Sequence, residues 1–148
     1  MKHFPILLVF LTFLSGCGDS RFGHQFELDE TNFDAEVMQM IQEDARFVLP
    51  PGSRGLNFTY KPPIDPHWAA RIELPTSARD MMVAQIEKFP TDKVEYHLTP
   101  QDGKKWWNER LGSAILDREL FTAPTVYRHF ILTVEDGRLI LYVGYEAI

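Results

Sequence analysis

Residues 125–145 read TVYRHFILTVEDGRLILYVGY, and this stretch decides the fold. Thr125–Val134 is rich in β-branched and aromatic residues, which favour strands. The turn Glu135–Arg138 follows, and its central Asp-Gly pair tolerates the positive φ angles of a two-residue hairpin. Leu139–Tyr145 then supplies the returning strand. The sequence therefore predicts a β-hairpin near its C-terminal end.

Two more strands are predicted upstream, at Arg54–Tyr60 and Trp68–Leu74, because apolar residues alternate in both. Their in-phase apolar residues are Leu56, Phe58 and Tyr60 in the first, and Trp68, Ala70, Ile72 and Leu74 in the second. The connecting segment Lys61–His67 holds three prolines, which do not fit inside a sheet. We therefore expect an antiparallel pair joined by a stiff loop, which is either a sheet corner or a recognition loop.

Two helices are predicted. The first spans Thr31–Val48, where Thr31 and Asp34 have the spacing of a capping box and Pro50-Pro51 forces a stop. The second begins after Pro75, with Ser77 as its cap, and ends at Pro90. Its apolar stripe is Met82, Ile86 and Phe89.

Shorter elements complete the prediction. Phe26 and Leu28 alternate with acidic residues and fit a short docked strand, Lys93–Leu98 fits another strand, and Lys104–Leu111 fits a short helix. The order of elements predicts an α+β domain, with an antiparallel sheet of about five strands and two helices packed on one face.

Composition limits the function. The chain has 148 residues, which suits one domain, and its net charge of -6 argues against nucleic-acid binding. Its single cysteine, Cys17, excludes an intramolecular disulfide.

The N-terminus has the features of a signal peptide over residues 1–16. Ile6–Leu14 is an apolar run that is too short to span a hydrocarbon core of about 30 Å. The run ends in Leu14-Ser15-Gly16-Cys17, which resembles the lipobox of bacterial lipoprotein signal peptides. That resemblance implies cleavage before Cys17, a diacylglycerol on its sulfur and acylation, as with palmitate, of its new amine. A plain secretory signal with an incidental cysteine is the alternative.

The domain organisation follows from this assignment. Residues 1–16 form the signal peptide, residues 17–30 the lipidated N-terminus and tether, and residues 31–148 a single α+β domain. Removal of Lys2 leaves 21 acidic residues against 14 Lys and Arg of the original 15, so the side chains after cleavage sum to about -7. Acidic domains are not recruited by anionic headgroups, so the lipid must hold the protein at the membrane. Gly18, which follows the lipobox cysteine, favours the outer over the inner membrane within the resemblance.

Adjacent tryptophans are the most informative local feature. Both rings of Trp106-Trp107 cannot enter the same core. On the predicted helix Trp107 pairs with Leu111 at i+4, so we expect it to point inward, whereas Trp106 pairs with Arg110 and lies at the boundary. Exposed Trp and Arg are enriched at binding hot spots, which makes Trp68, Trp106 and Arg110 candidate partner-binding residues. A boundary tryptophan that only covers the edge of the core is the alternative.

No catalytic, cofactor or metal site is predicted. His67, His97 and His129 lie on three strand regions without a metal-ligand spacing. The serines considered as nucleophiles are Ser53, Ser77 and Ser113, and the linear sequence places no base beside any of them.

The order of a helix, a Leu-Pro start, two strands, a second Leu-Pro, a Trp segment and a final hairpin is similar to that of small bacterial lipoproteins. The resemblance implies a periplasm-facing envelope protein and carries over no residue except Cys17. The first functional hypothesis is a non-enzymatic module that binds an envelope protein, for example an immunity or inhibitor lipoprotein against a periplasmic toxin or hydrolase. A small envelope hydrolase, a ligand-binding domain and a purely structural component are the alternatives.

Overall fold

The computed structural model describes residues 20–62, 66–90, 104–107, 114–122 and 125–147. They form an antiparallel six-stranded sheet of order β1-β2-β3-β6-β5-β4 and two α-helices. The strands are β1 (Phe26–Asp29), β2 (Arg54–Lys61), β3 (His67–Leu74), β4 (Leu116–Thr122), β5 (Val126–Glu135) and β6 (Arg138–Ala147). The helices are α1 (Ala35–Ala45) and α2 (Arg79–Glu87), and 3-10 turns lie at Ser20–Gly23, here called the N-terminal turn, and at Thr76–Ala78.

The predicted α+β class is confirmed, with six strands in place of about five. The β5–β6 hairpin turns at Asp136 and Gly137, whose φ angles of 48° and 77° are both positive as predicted. The docked strand at Phe26 is present as β1. Strand β4 is a strand that the sequence analysis missed, and the predicted strand at Lys93–Leu98 lies outside the described residues.

Both helices pack on the same face of the sheet, here called the helix face, as predicted. Their buried side chains join the in-phase residues of the central strands in one cluster, because alternate residues of a strand share a face. The main members are Val37, Ile41, Met82, Ile86, Phe58, Trp68, Ile72, Phe130, Leu132, Leu141 and Val143.

The first helix begins four residues later than predicted. The carboxylate of Asp29 accepts hydrogen bonds from the amide and the hydroxyl of Thr31 at 2.8 and 2.6 Å, so Thr31 belongs to a turn that follows β1. Asp34 is itself the N-cap, and its side chain accepts from the amide of Val37 at 3.0 Å. The capping-box prediction is therefore wrong, because Thr31 is hydrogen-bonded to Asp29, the last residue of the preceding strand.

The second helix also begins later than predicted, and Ser77 does not cap it. Ser77 lies in the 3-10 turn, where the amide of Ala78 donates to the carbonyl of Pro75 at 2.9 Å. The side chain of Gln85 on α2 forms both backbone hydrogen bonds of Val48, accepting from its amide at 2.9 Å and donating to its carbonyl at 3.0 Å. The side-chain amide of Gln85 thus links α2 to the segment that leaves α1.

A β-bulge changes which face Leu56 occupies. Gly55 pairs with Ile72 and Asn57 with Arg71, so Leu56 is the extra residue on β2. Leu56 packs on the face opposite the helices, whereas Phe58 packs under them. The prediction that Leu56 shares a side with Phe58 is wrong because strict alternation fails at a bulge.

Phe33 leaves no room for a side chain at position 55, next to the bulge. A Cβ on Gly55 would overlap the ring of Phe33, so we expect Gly55→Ala to lower the free energy of unfolding by about 1–3 kcal/mol. Gly23→Ala is the matched control, because no atom lies within 4 Å of its added Cβ. Urea unfolding of the two variants would measure both changes, and equal stabilities would contradict the overlap.

Candidate functional site

The sheet has a second face, opposite the helices, with its own small core, and we call it the open face. Trp107, which is 6% exposed, packs there with side chains of the central strands. The buried members are Leu56, Ala69, Ile131, Ile140 and Tyr142. Residues 104–107 cross this face, and Lys104 forms an ion pair with Glu27 of β1.

The two tryptophans take the positions that were predicted for them. The ring of Trp107 lies 5.2 Å from that of Tyr142 and 6.0 Å from that of His129, measured between centroids. Trp106 is partly buried beside it, with a centroid separation of 6.1 Å. The described part of the predicted helix is a turn, in which the amide of Trp107 donates to the carbonyl of Lys104. Arg110 lies outside the described residues.

Trp68 is a core residue, and its assignment to partner binding is corrected. Its side chain is 0% exposed on the helix face, where it stacks on Tyr145 with a centroid distance of 5.2 Å. Its indole nitrogen donates to the Asp44 carboxylate at 2.9 Å. The alternation that put Trp68 in phase with Ile72 predicts burial, and this outweighs the general enrichment of tryptophan at interfaces.

A buried arginine lies beside Trp68. Arg128 is 2% exposed, and its Nε and Nη2 donate to the backbone carbonyl of Asp44 at 2.9 and 2.7 Å. That carbonyl is in the last turn of α1, where a cation is favourable to the helix dipole. Burial raises the pKa of Asp44, against the lowering effects of the Trp68 hydrogen bond and the Arg128 charge.

A histidine with two carboxylates occupies the β4–β5 end of the open face. His129 Nε2 lies 2.8 Å from Asp117 Oδ1, and His129 Nδ1 lies 3.7 Å from Glu119 Oε1. The hydrogen bond to His129 lowers the pKa of Asp117. The pKa of the neighbouring Tyr127 hydroxyl is raised, first by burial and then by the charge of Glu119. These groups make a compact polar cluster beside Trp107.

A polar groove of about 290 Å3 lies at the other end of the open face. It is lined by Asp29, Glu30, Leu56, Asn57, Arg71 and Arg138. Arg71 is bound to Glu135 at 2.5 Å, and Arg138 lies 3.7 Å from Glu73, so neighbouring carboxylates balance both cations. The bulge at Leu56 helps to line this groove.

The remaining predicted candidates do not converge on a site. His67 lies on β3 opposite Glu146 of β6, and His97 and Ser113 lie outside the described residues. Ser53 donates its hydroxyl to the carbonyl of Pro50 at 2.7 Å in a turn. Among the described residues, no three His, Cys, Asp or Glu side chains are grouped to hold a metal ion.

The carboxylate partners of His129 were missed from the sequence. Leu116–Thr122 reads LDRELFT, and its period of two places Asp117 and Glu119 on one side and Leu116 and Leu120 on the other. That alternation is the signal that predicts β4. Pairing of Glu119 with His129 across two strands follows only once the strand register is known.

No protein-family model matches this chain, and neither the curated proteins nor the solved structures contain a match. Within the described ranges, no helix has the length and apolar content that crossing a membrane requires.

The raised pKa of Asp44 predicts a pH-dependent effect of Asp44→Asn on stability. A carboxyl whose pKa is raised by folding stabilises the fold below its unfolded value of 3.8, and this contribution is lost as pH rises through the folded value. The amide of Asn has no such titration but still accepts from Trp68. The free energy of unfolding of the wild type, relative to Asp44→Asn, should therefore fall as pH rises.

Urea unfolding between about pH 3.5 and 7 measures this difference. Asp44→Ala is the comparison variant, because it leaves the Trp68 N–H unpaired and should cost about 1–3 kcal/mol. A wild-type advantage over Asp44→Asn that grows with pH would contradict the assignment.

Proposed function

We propose that this protein is a lipid-anchored bacterial envelope lipoprotein that binds a basic protein through its open face and performs no catalysis. The anchor half of the proposal rests on Leu14-Ser15-Gly16-Cys17. The observation that supports the binding half is the position of Trp106, a partly buried ring on a charged sheet face.

The chemistry of that face fits a protein partner. Aromatic rings that rest on a packed neighbour lose little entropy when they are covered, and tryptophan is enriched among hot spots. Trp106 rests on Trp107, which is fixed by Tyr142. The net charge, about -7 after cleavage, together with exposed carboxylates at both ends of the open face, favours encounter with a basic partner.

The His129 cluster supports the binding of a basic partner. His129 Nε2 lies 2.8 Å from Asp117 and His129 Nδ1 lies 3.7 Å from Glu119. Two carboxylates beside one imidazole leave the cluster negative. The cluster therefore supplies negative charge at the surface, which suits an inhibitor or immunity protein that acts on a basic envelope toxin or hydrolase.

Removal of the acylated thiol tests the anchor. We expect mass spectrometry of the native protein to find a diacylglycerol on Cys17 as the first residue. Cys17→Ser should move the protein from the membrane fraction, with outer membrane favoured, to the periplasmic fraction, because the acyl chains supply the membrane affinity. Sedimentation of Cys17→Ser with membranes, or an unmodified Cys17, would overturn the anchor.

Photo-crosslinking in intact cells tests the binding face. A photoreactive phenylalanine analogue at position 106 should capture one discrete basic protein, whereas the same analogue at Ala84, exposed on α2, should not. With that protein purified, Trp106→Ala should weaken binding by about 2 kcal/mol or more. Equal capture at both positions, or unchanged affinity of Trp106→Ala, would contradict this use of the open face.

A further inference from the structure

The N-terminal turn is firmly fixed to the domain. Arg21 forms an ion pair with Asp34, the N-cap of α1, at 2.6 Å, and lies 3.4 Å from Glu36. The ring of Phe22 packs edge-on against those of Phe26 and Tyr60, at centroid distances of 5.6 and 5.3 Å. From Arg21 onward, therefore, the chain is fixed to the β1 edge of the sheet.

Only a short span of chain separates this turn from Cys17. Four residue steps lead from Cys17 to Arg21, and a fully extended chain covers at most about 14 Å over that number. If Cys17 carries the lipid, as the proposed function holds, its sulfur lies at the headgroup level. The β1 edge and the N-terminus of α1 are then confined close to the bilayer surface.

The opposite edge of the sheet is free of that constraint. In the strand order, β4 lies five strands away from β1, and neighbouring strands are about 4.8 Å apart, so the two edges are about 24 Å apart. β4 carries Asp117, which is exposed, and Glu119. Exposed carboxylates lie at the β1 edge as well, among them Glu27 and Glu30, so headgroup repulsion acts on both edges and the tether alone distinguishes them.

We infer that the domain stands on the membrane by its N-terminal turn and β1 edge, with the β4 edge and its carboxylates raised into the aqueous phase. The occupant of the β1 edge is thus the lipid surface, and this inference rests on the lipid anchor of the proposed function. A basic partner then meets the β4 end of the open face first, because that end lies farthest from the bilayer.

Headgroup quenching of single fluorescent labels tests this orientation. The full lipidated chain is placed in phosphatidylethanolamine–phosphatidylglycerol vesicles that contain a nitroxide headgroup lipid. A label on Gln25→Cys, an exposed site beside β1, should lose most of its emission, whereas a label on Asp117→Cys should keep most of it. The thioether at Cys17 leaves the introduced cysteine as the single reactive thiol.

A lengthened tether is the matched control. About 20 Gly and Ser residues inserted between Asp19 and Ser20 add a mean reach of about 25 Å, so quenching at position 25 should fall towards that at position 117. Equal quenching of the two labels in the unmodified chain, with lipid present on Cys17 by mass spectrometry, would overturn the orientation and leave the anchor standing. An unlipidated Cys17 would overturn both.

Discussion

A buried guanidinium joins the first helix to the middle of the sheet. Arg128 donates two hydrogen bonds to the carbonyl of Asp44, and the Asp44 side chain accepts from Trp68 of β3. A charge with so little exposure is tolerated only when its donors are used. The position of α1 on the helix face therefore depends on this contact. Because α1 covers the apolar side chains of β3, β5 and β6, their burial depends on it as well.

Simple patterns in the sequence predicted most of the fold. The alternation of Trp68–Leu74 and the Asp-Gly pair at 136–137 correctly give β3 and the final hairpin, because period and turn chemistry are local properties. The predicted first residues of both helices were wrong. Thr31 is engaged by Asp29 of the preceding strand, and Ser77 lies in a 3-10 turn, so contacts from outside each helix decide its first residue.

The candidate site was only partly predictable. Adjacency predicts that the two tryptophan rings have different environments. The choice of Trp107 as the inner ring rested on a helix, whereas the described residues 104–107 form a turn that also buries Trp107. The approach of Asp117 to His129 requires the pairing of β4 with β5, and the displacement of Leu56 requires a bulge. Neither is visible in composition or spacing, because the first is a long-range register and the second is a local exception to alternation.

The open face has a different physical character from the helix face. On the helix face, aromatic rings and aliphatic side chains fill the space between the helices and the sheet, and Arg128 donates to the carbonyl of Asp44 in α1. On the open face a small apolar core around Trp107 separates two charged regions, one around Arg71 and Glu135 and one around His129. Function is proposed for this face because its polar groups remain near solvent, as recognition surfaces require.

The two hydrogen bonds between the side chain of Gln85 and the backbone of Val48 have a consequence for local unfolding. The side-chain amide of Gln85 supplies the two hydrogen bonds that a neighbouring strand would otherwise form with Val48, although Gln85 lies 37 residues farther along the chain. The chain that leaves α1 is also held locally, because the carbonyl and the side chain of Gln42 accept hydrogen bonds from the amides of Phe47 and Leu49. Local unfolding at this end of α1 is therefore resisted by two sets of contacts, and the set from Gln85 is lost whenever α2 undocks.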